Sequence, residues 1–243
     1  SQNTAVGYQA LKTTTGSLNT AVGMQALYYA GNASYNTAVG QLAGFHNTTG
    51  AENTLIGSRA GQELTTGSFN IGIGSGALYG ASASASTNNI AIGVNDMAAA
   101  TTNASQYNTR IGNFAFDTST TGASNTAVGY QTLTNATTAN DNTVVGYQAG
   151  ANIVGASYNV LVGYQAGSGS TSGGNVCVGR LAGSSTTSDY LVAVGYNAAL
   201  YNSTGIQNTA IGFHAFINNQ TGNYNTCVGY NAMGGGSIGN SGH

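Results

Sequence analysis

The chain has no proline and no tryptophan, and only 4% of its 243 residues are charged. Each shortage excludes something. Proline removes a ladder donor and belongs at sheet edges, so its absence leaves every residue free to join a continuous hydrogen-bonded stack. A soluble domain ordinarily carries about a quarter charged residues, so this surface must be neutral polar or covered by other protein. The four basic residues, Lys12, Arg59, Arg110 and Arg180, are scattered. Nucleic-acid binding needs many phosphate-neutralising cations, and no such partner is expected. No apolar run approaches the ~20 residues of a spanning helix, so membrane insertion by this segment is not expected either. Cysteine is limited to Cys177 and Cys227. Both stand where other repeats have Ala, Leu or Val, and coils stacked at ~4.8 Å hold them beyond disulfide reach. They read as small apolar fillers.

What is present is a phrase, Asn-Thr-Ala-Val-Gly or a close variant. It opens at Asn3, Asn19, Asn36, Asn53, Asn70, Asn89, Asn108, Asn125, Asn142, Asn159, Asn175, Leu191, Asn208 and Asn225, at spacings of mostly 16 or 17 and up to 19 residues. A short fixed period means stacked like units, each touching its neighbours. Hydrophobic residues make up 41% and keep fixed places in the period, which a disordered low-complexity chain does not do.

The phrase ends on glycine in all fourteen copies, Gly7 to Gly229. Glycine marks a sharp corner. The residue before it is always Val or Ile, which favour strands. We call this the aliphatic column. Two residues earlier lies the Thr column (Thr4, Thr20, with Ile71 and Val160 among its exceptions), and between them a mixed middle column (Ala5, Leu55, Gly72, Arg110, Val144, Cys177). Alternation places the aliphatic and Thr columns on one face. The expectation is that this face points inward and the middle column outward, against a neighbouring subunit. Three residues after the glycine, Ala stands in twelve of fourteen copies, the exceptions being Asp96 and Thr132; a tightly filled inner site explains it. Polar connectors such as Thr13-Thr14-Thr15-Gly16-Ser17 close each unit with turn chemistry.

The expected fold is all-β: a narrow parallel β-roll or β-solenoid of about 14 coils, each with two short strands and two bends and a perimeter of at most ~56 Å. It should span residues 1–233, followed by a Gly/Ser-rich tail over 234–243. The recurrent Asn should form a side-chain ladder and supply left-handed backbone at a corner. So slim a roll buries little per residue. Identical rods should therefore associate as a parallel homotrimer, whose cyclic symmetry closes the interface. The chain opens inside a repeat phrase and both ends lack an atypical capping repeat, as in a segment of a longer fibre.

The stretch Asn-Thr-Ala-Val-Gly-Tyr-Gln-Ala-Leu (Asn3 to Leu11, with near-copies at Asn19 and Asn125) resembles repeats of phage tail-fibre and bacterial surface-fibre proteins. It is also similar to the Asn-Ser-x-Ala-Ile-Gly repeat in the heads of trimeric autotransporter adhesins. The resemblance covers essentially the whole chain, although coils of 16 to 19 residues are longer than those of adhesin heads. It implies left-handed coils, trimers, an extracellular location and attachment to host surfaces.

Chemistry is sparse. His46, His214 and His243 lie far apart in the repeat, and the six acids are spread over different coils. No nucleophile, paired carboxylate or calcium array can be assembled, and no catalytic residue, metal or cofactor is expected. Asp96 or Arg110 gathered on a threefold axis is the one ion site considered. The position after the glycine holds Tyr8, Tyr130, Tyr147, Tyr164, Tyr196 and Tyr230. Two readings are open for it. Tyr130, Tyr147 and Tyr164 can stack on sugar rings while Gln131, Gln148 and Gln165 bond hydroxyls, or the column is a ladder that ties coils together. The longer connectors, Tyr79 to Asn88 and Ala98 to Tyr107, are candidate recognition loops.

The expected function is a structural or adhesive segment of an extracellular trimeric fibre that attaches to a host or prey cell through a surface glycan or protein. The alternative is an ice-binding β-solenoid using the Thr column. An inward Thr column and its Ile and Val interruptions speak against that alternative.

Overall fold

A computed structural model describes residues 2–80, 86–94, 106–118 and 120–234. The chain forms two compact units, residues 1–124 and 125–243. Each is a parallel β-solenoid.

The first unit contains β1 (Thr4–Val6), β2 (Thr20–Val22), β3 (Thr37–Val39), β4 (Thr54–Ile56), β5 (Ile71–Ile73), β6 (Ile90–Ile92) and β7 (Thr109–Ile111). The second contains β8 (Thr126–Val128), β9 (Thr143–Val145), β10 (Val160–Val162), β11 (Val176–Val178), β12 (Val192–Val194), β13 (Thr209–Ile211) and β14 (Thr226–Val228). Within each unit every strand pairs with the next, parallel and in repeat register, as in Thr20↔Thr37 and Val160↔Val176. The strands are the repeated phrases themselves.

Each described coil has one strand of three residues where two strands were expected. The opposite side is a stack of turns. Left-handed residues such as Gln25 (φ 56°) and Leu27 (φ 48°) alternate there and prevent an extended strand. Coil-to-coil hydrogen bonding nevertheless continues. Leu27 N–H donates to Ala43 O (2.9 Å) and Gly150 N–H to Ala166 O (3.0 Å), so the turn backbone stays satisfied.

The strand faces are opposite to the expectation. The middle column is the core: Ala21, Ala38, Leu55, Ala91, Arg110, Ala127, Val144, Leu161, Cys177, Ala193 and Ala210 are completely buried. The Thr and aliphatic columns flank it and look outward, half-buried or exposed. The interior is too narrow for a β-branched side chain in every coil, and it favours Ala. Leucines on one side of the core face glycines on the other: Leu55 with Gly61, Leu161 with Gly167. The reverse holds for Ala127 with Leu133 and Gly72 with Leu78. A Cβ on Gly61 would lie 2.7 Å from Leu55 Cδ2, and one on Gly167 2.6 Å from Leu161 Cδ2. In these coils the two sides of the core trade volume; the coil of Arg110 and Phe116, both fully buried, departs from that rule.

The Asn column is a buried ladder, as expected. Asn53 donates Nδ2 to Asn36 Oδ1 (3.0 Å) and to Gly67 O (2.9 Å). Its own Oδ1 accepts the backbone N–H and the Nδ2 of Asn70, both at 3.0 Å. Asn142 and Asn159 repeat the arrangement in the second unit. The left-handed residue of this corner is the one before the Asn, such as Tyr35 or Glu52, and not the Asn itself. Leu191 interrupts the ladder as a buried apolar side chain, although its backbone N–H still donates to Asn175 Oδ1 (2.8 Å).

The glycine corner explains its own invariance. At Gly7 φ is +125°, and an added Cβ would lie 2.6 Å from the carbonyl oxygen of Gly23; the same clash recurs from coil to coil. A positive φ and a neighbouring carbonyl both require glycine. The alanine three residues later is buried, as expected, at Ala26, Ala43, Ala60, Ala77, Ala149 and Ala166. Thr132 is also buried there, and Asp96 lies outside the described residues.

Cys177 and Cys227 are free and buried, as the filler reading requires. Desolvation pushes the Cys177 thiol up to about 12 and also raises Cys227.

Candidate functional site

Reversing the strand faces changes what the solenoid offers its surroundings. Along each unit the three-residue strands form a ribbon whose outer side carries the Thr column and the aliphatic column. Ile56, Ile73, Ile111, Val145 and Ile211 are 36–40% exposed, and their Thr-column neighbours Ile71 and Val160 are 37–38% exposed. A row of partly exposed aliphatic side chains of this kind is a candidate interaction surface. It carries no charge. Arg110, considered for an axial ion site, is inside: its guanidinium carbon lies 4.5 Å from the Phe116 ring centroid.

The second feature is the aromatic column after the glycine. In the second unit the structure brings the expected residues together. Tyr130 and Tyr147 stack at 5.5 Å and 14°, and Tyr147 and Tyr164 at 5.2 Å and 6°. Gln148 Nε2 donates to Gln131 Oε1 (2.8 Å), and Gln165 Nε2 to Gln148 Oε1 (2.9 Å). Arg180 and Phe213 fill the column between the expected tyrosines. Arg180 lies 5.3 Å from the Tyr164 ring centroid and 5.2 Å from that of Tyr196, and Nη1 donates to Tyr196 OH (3.0 Å). Tyr196, Phe213 and Tyr230 then stack at 5.1 and 5.3 Å. Arg180 and Phe213 were passed over because only tyrosines were counted there. The signal was that a guanidinium plane also stacks on rings.

This stacking has a chemical consequence. Tyr147 has Tyr130 on one face and Tyr164 on the other, so its edge and hydroxyl alone meet solvent. The Gln amides bond one another along the ladder. The geometry matches coil-to-coil support, and any recognition there works through ring edges and hydroxyls.

A smaller cluster lies in the first unit. Tyr28 stacks on Phe45 (5.2 Å) and Tyr29 on His46 (5.7 Å), while His46 Nδ1 lies 2.8 Å from Glu63 Oε2. Lys12 Nζ donates to Tyr28 OH (2.9 Å), which holds the Lys12 ammonium above its ordinary pKa. No group of three or more His, Cys, Asp or Glu gathers among the described residues, and no helix there is long and apolar enough to cross a membrane. His243, residues 81–85 of the first long connector and 98–105 of the second lie outside the described residues. No protein-family profile, curated protein or solved structure matches the chain.

Proposed function

We propose that this chain is a segment of an extracellular fibre in which identical chains associate along their strand ribbons, as a parallel trimer, and present the remaining surface for attachment to a host or prey cell. The supporting observation is the outward aliphatic column. It is Val or Ile in all fourteen repeats and lies beside a Thr column that itself turns to Ile or Val in places. A partner's identical ribbon matches it coil for coil, and each partly exposed Val or Ile covered in this way contributes about 1 kcal/mol. The association face is therefore the flanking columns and not the middle column. Three chains would display any binding group three times and bind multivalently. The likeness of the phrase to tail-fibre and adhesin-head repeats points the same way.

The test is the mass of the purified chain by sedimentation equilibrium, with Val145→Lys and Val162→Lys as disrupting variants. A trimer dissociated by both changes supports the proposal. A well-folded wild-type monomer sinks it.

One observation favours a second reading. The Thr column looks outward in the structure, so an inward Thr column no longer argues against ice binding. Ile71, Ile90, Val160, Val176 and Val192 still interrupt that column. A thermal-hysteresis assay separates the readings: strong hysteresis from the monomer favours ice, and none leaves the fibre.

A further inference from the structure

A different row of aromatics stands at the residue before the repeat Asn. In the third, fifth and seventh coil of each unit this residue is Tyr or Phe: Tyr35, Phe69 and Tyr107 in the first unit, and Tyr158, Tyr190 and Tyr224 in the second. The coils between carry Glu52 and Asn88, and Gly174 and Gln207. All six aromatics are left-handed, with φ of 57–65°, and 52–70% exposed. Bulky residues are strained in that conformation, which Gly or Asn adopts readily. Unlike the ladder rings, none of the six stacks on another ring among the described residues. The left-handed backbone belongs to the corner itself, since Leu18, Glu52, Asp141 and Gln207 share it; what sets these six positions apart is a large exposed ring.

The two-coil period extends to the side chain before the aromatic. In five of these coils the residue preceding the aromatic accepts the N–H of the corresponding residue one coil earlier. Ser34 Oγ bonds Ser17 N–H (3.1 Å), Ser68 Oγ bonds Ala51 N–H (3.0 Å) and Ser157 Oγ bonds Asn140 N–H (3.0 Å). Asp189 Oδ1 bonds Gly173 N–H (3.0 Å), and Asn223 Oδ1 bonds Ile206 N–H (2.8 Å). The aromatic's own N–H donates to the same earlier residue, as from Tyr158 to Asn140 O (3.1 Å) and from Tyr224 to Ile206 O (3.1 Å), a bond that the coils between also make, as from Glu52 to Ser34 O (3.2 Å). Each ring thus rises from a rigid base. At Tyr190 its direction is visible: a Cβ on Gly174 would lie 2.8 Å from Cδ1 and 2.9 Å from Cε1. The ring lies back over the preceding coil.

We propose that each row is a binding platform for an extended, neutral β-1,4-linked polysaccharide lying along the coil axis. Rings two coils apart are ~9.6 Å apart, close to the two-sugar repeat of such a chain, so every second sugar meets a ring. The apolar faces of the sugars stack on the rings, while nearby Ser and Asn side chains supply polar neighbours. An acidic polymer is disfavoured because no basic residue stands at this repeat position, while Glu52 lies between Tyr35 and Phe69 and Asp141 one coil before Tyr158. Asp189, beside the second row, is engaged by Gly173 N–H. Rigid aromatics lose little entropy on binding. This deepens the attachment reading given above and rests on attachment being to a glycan, but it does not require the chains to associate.

The experiment is co-sedimentation of the full chain with microcrystalline cellulose, with chitin and with granular starch, whose α-linked helical chains do not present the straight repeat. It compares wild type with a variant carrying Tyr35→Asn, Phe69→Asn, Tyr107→Asn, Tyr158→Asn, Tyr190→Asn and Tyr224→Asn. Asn suits the left-handed backbone, and circular dichroism checks the fold. A three-site variant, Tyr158→Asn with Tyr190→Asn and Tyr224→Asn, serves if six changes are too many. Wild type is expected to bind cellulose, chitin or both over starch, and the arm that retains it names the sugar. The six-site variant should bind at least ~tenfold more weakly, and the three-site variant measurably more weakly. Retention of wild type on neither β-1,4 polymer, or undiminished retention of the variants, overturns the proposal. So does a variant whose sedimentation mass falls below that of wild type, because the row is then a chain interface. A monomeric wild type that still binds overturns the trimer alone.

Discussion

Replacing Gly163 by alanine, and Gly229 by alanine as its partner experiment, separates two reasons for the same glycine. Both residues have strongly positive φ, 138° and 129°. At Gly163 an added Cβ would collide with the carbonyl group of Gly179, coming within 2.7 Å of its carbon. At Gly229 it would meet nothing within 4 Å among the described residues. Both variants pay the backbone strain, about 1–3 kcal/mol. Only Gly163→Ala must also push the next coil away, against the hydrogen bond from Gly179 N–H to Val162 O (2.8 Å). Losing that bond and the local packing adds about 1–2 kcal/mol. The assay is urea unfolding combined with hydrogen exchange of the Gly179 amide. Exchange reports the local opening that a solenoid permits without global unfolding. Gly163→Ala should be the more destabilising by about 1–2 kcal/mol and should accelerate exchange at Gly179. Equal losses, with Gly179 protection unchanged, would refute the claim that coil contact fixes this residue.

Leu161→Ala should cost about 2–5 kcal/mol in urea unfolding. Adding Gly167→Leu should recover most of it, because that pair reproduces Ala127 with Leu133, and Leu133 accepts a φ of 49°; additive losses would deny the shared volume. Asn142→Ala removes the acceptor of Asn159 N–H and Nδ2 and should cost about 2–3 kcal/mol, whereas a loss below about 0.5 kcal/mol would make the ladder incidental. Cys177 contributes a pH dependence of known sign. Its folded thiol pKa of about 12 lies above the ordinary 9.0, so the unfolded chain ionises first. The contribution is complete below pH 9 and falls as pH rises toward 12. Cys177→Ala should flatten that part of the stability profile, and native Cys177 should resist thiol reagents.

The strand positions, the glycine corner and the Asn ladder were legible because each rests on a strict repeat. The direction of the strand was not read correctly. Alternation says which residues share a face, but not which face is inside, and ranking Val and Ile above Ala gave the wrong sign. The interior accepts whichever side chain fits, and in this slim coil that is Ala. Two signals carried the correct sign. The Asn of the ladder lies two residues before the middle column and so shares its face. The two leucines of the middle column, Leu55 and Leu161, also coincide with glycine four residues past the corner, at Gly61 and Gly167. The expected second strand failed on left-handed residues such as Leu27 and Leu133, whose identity gives no warning. Tyr130, Tyr147 and Tyr164 were placed in one column by the repeat alone. That their faces cover one another required the ring planes.

The claim that identical ribbons meet is tested most directly by cysteine cross-linking. Val162→Cys puts a thiol on the outward aliphatic column, where the proposed association would bring the same residue of a parallel partner close by. Mild oxidation should yield a disulfide-linked dimer, while Ser168→Cys, on the turn side, should not. A Val162→Cys chain that stays uncross-linked and sediments as a monomer would contradict the account.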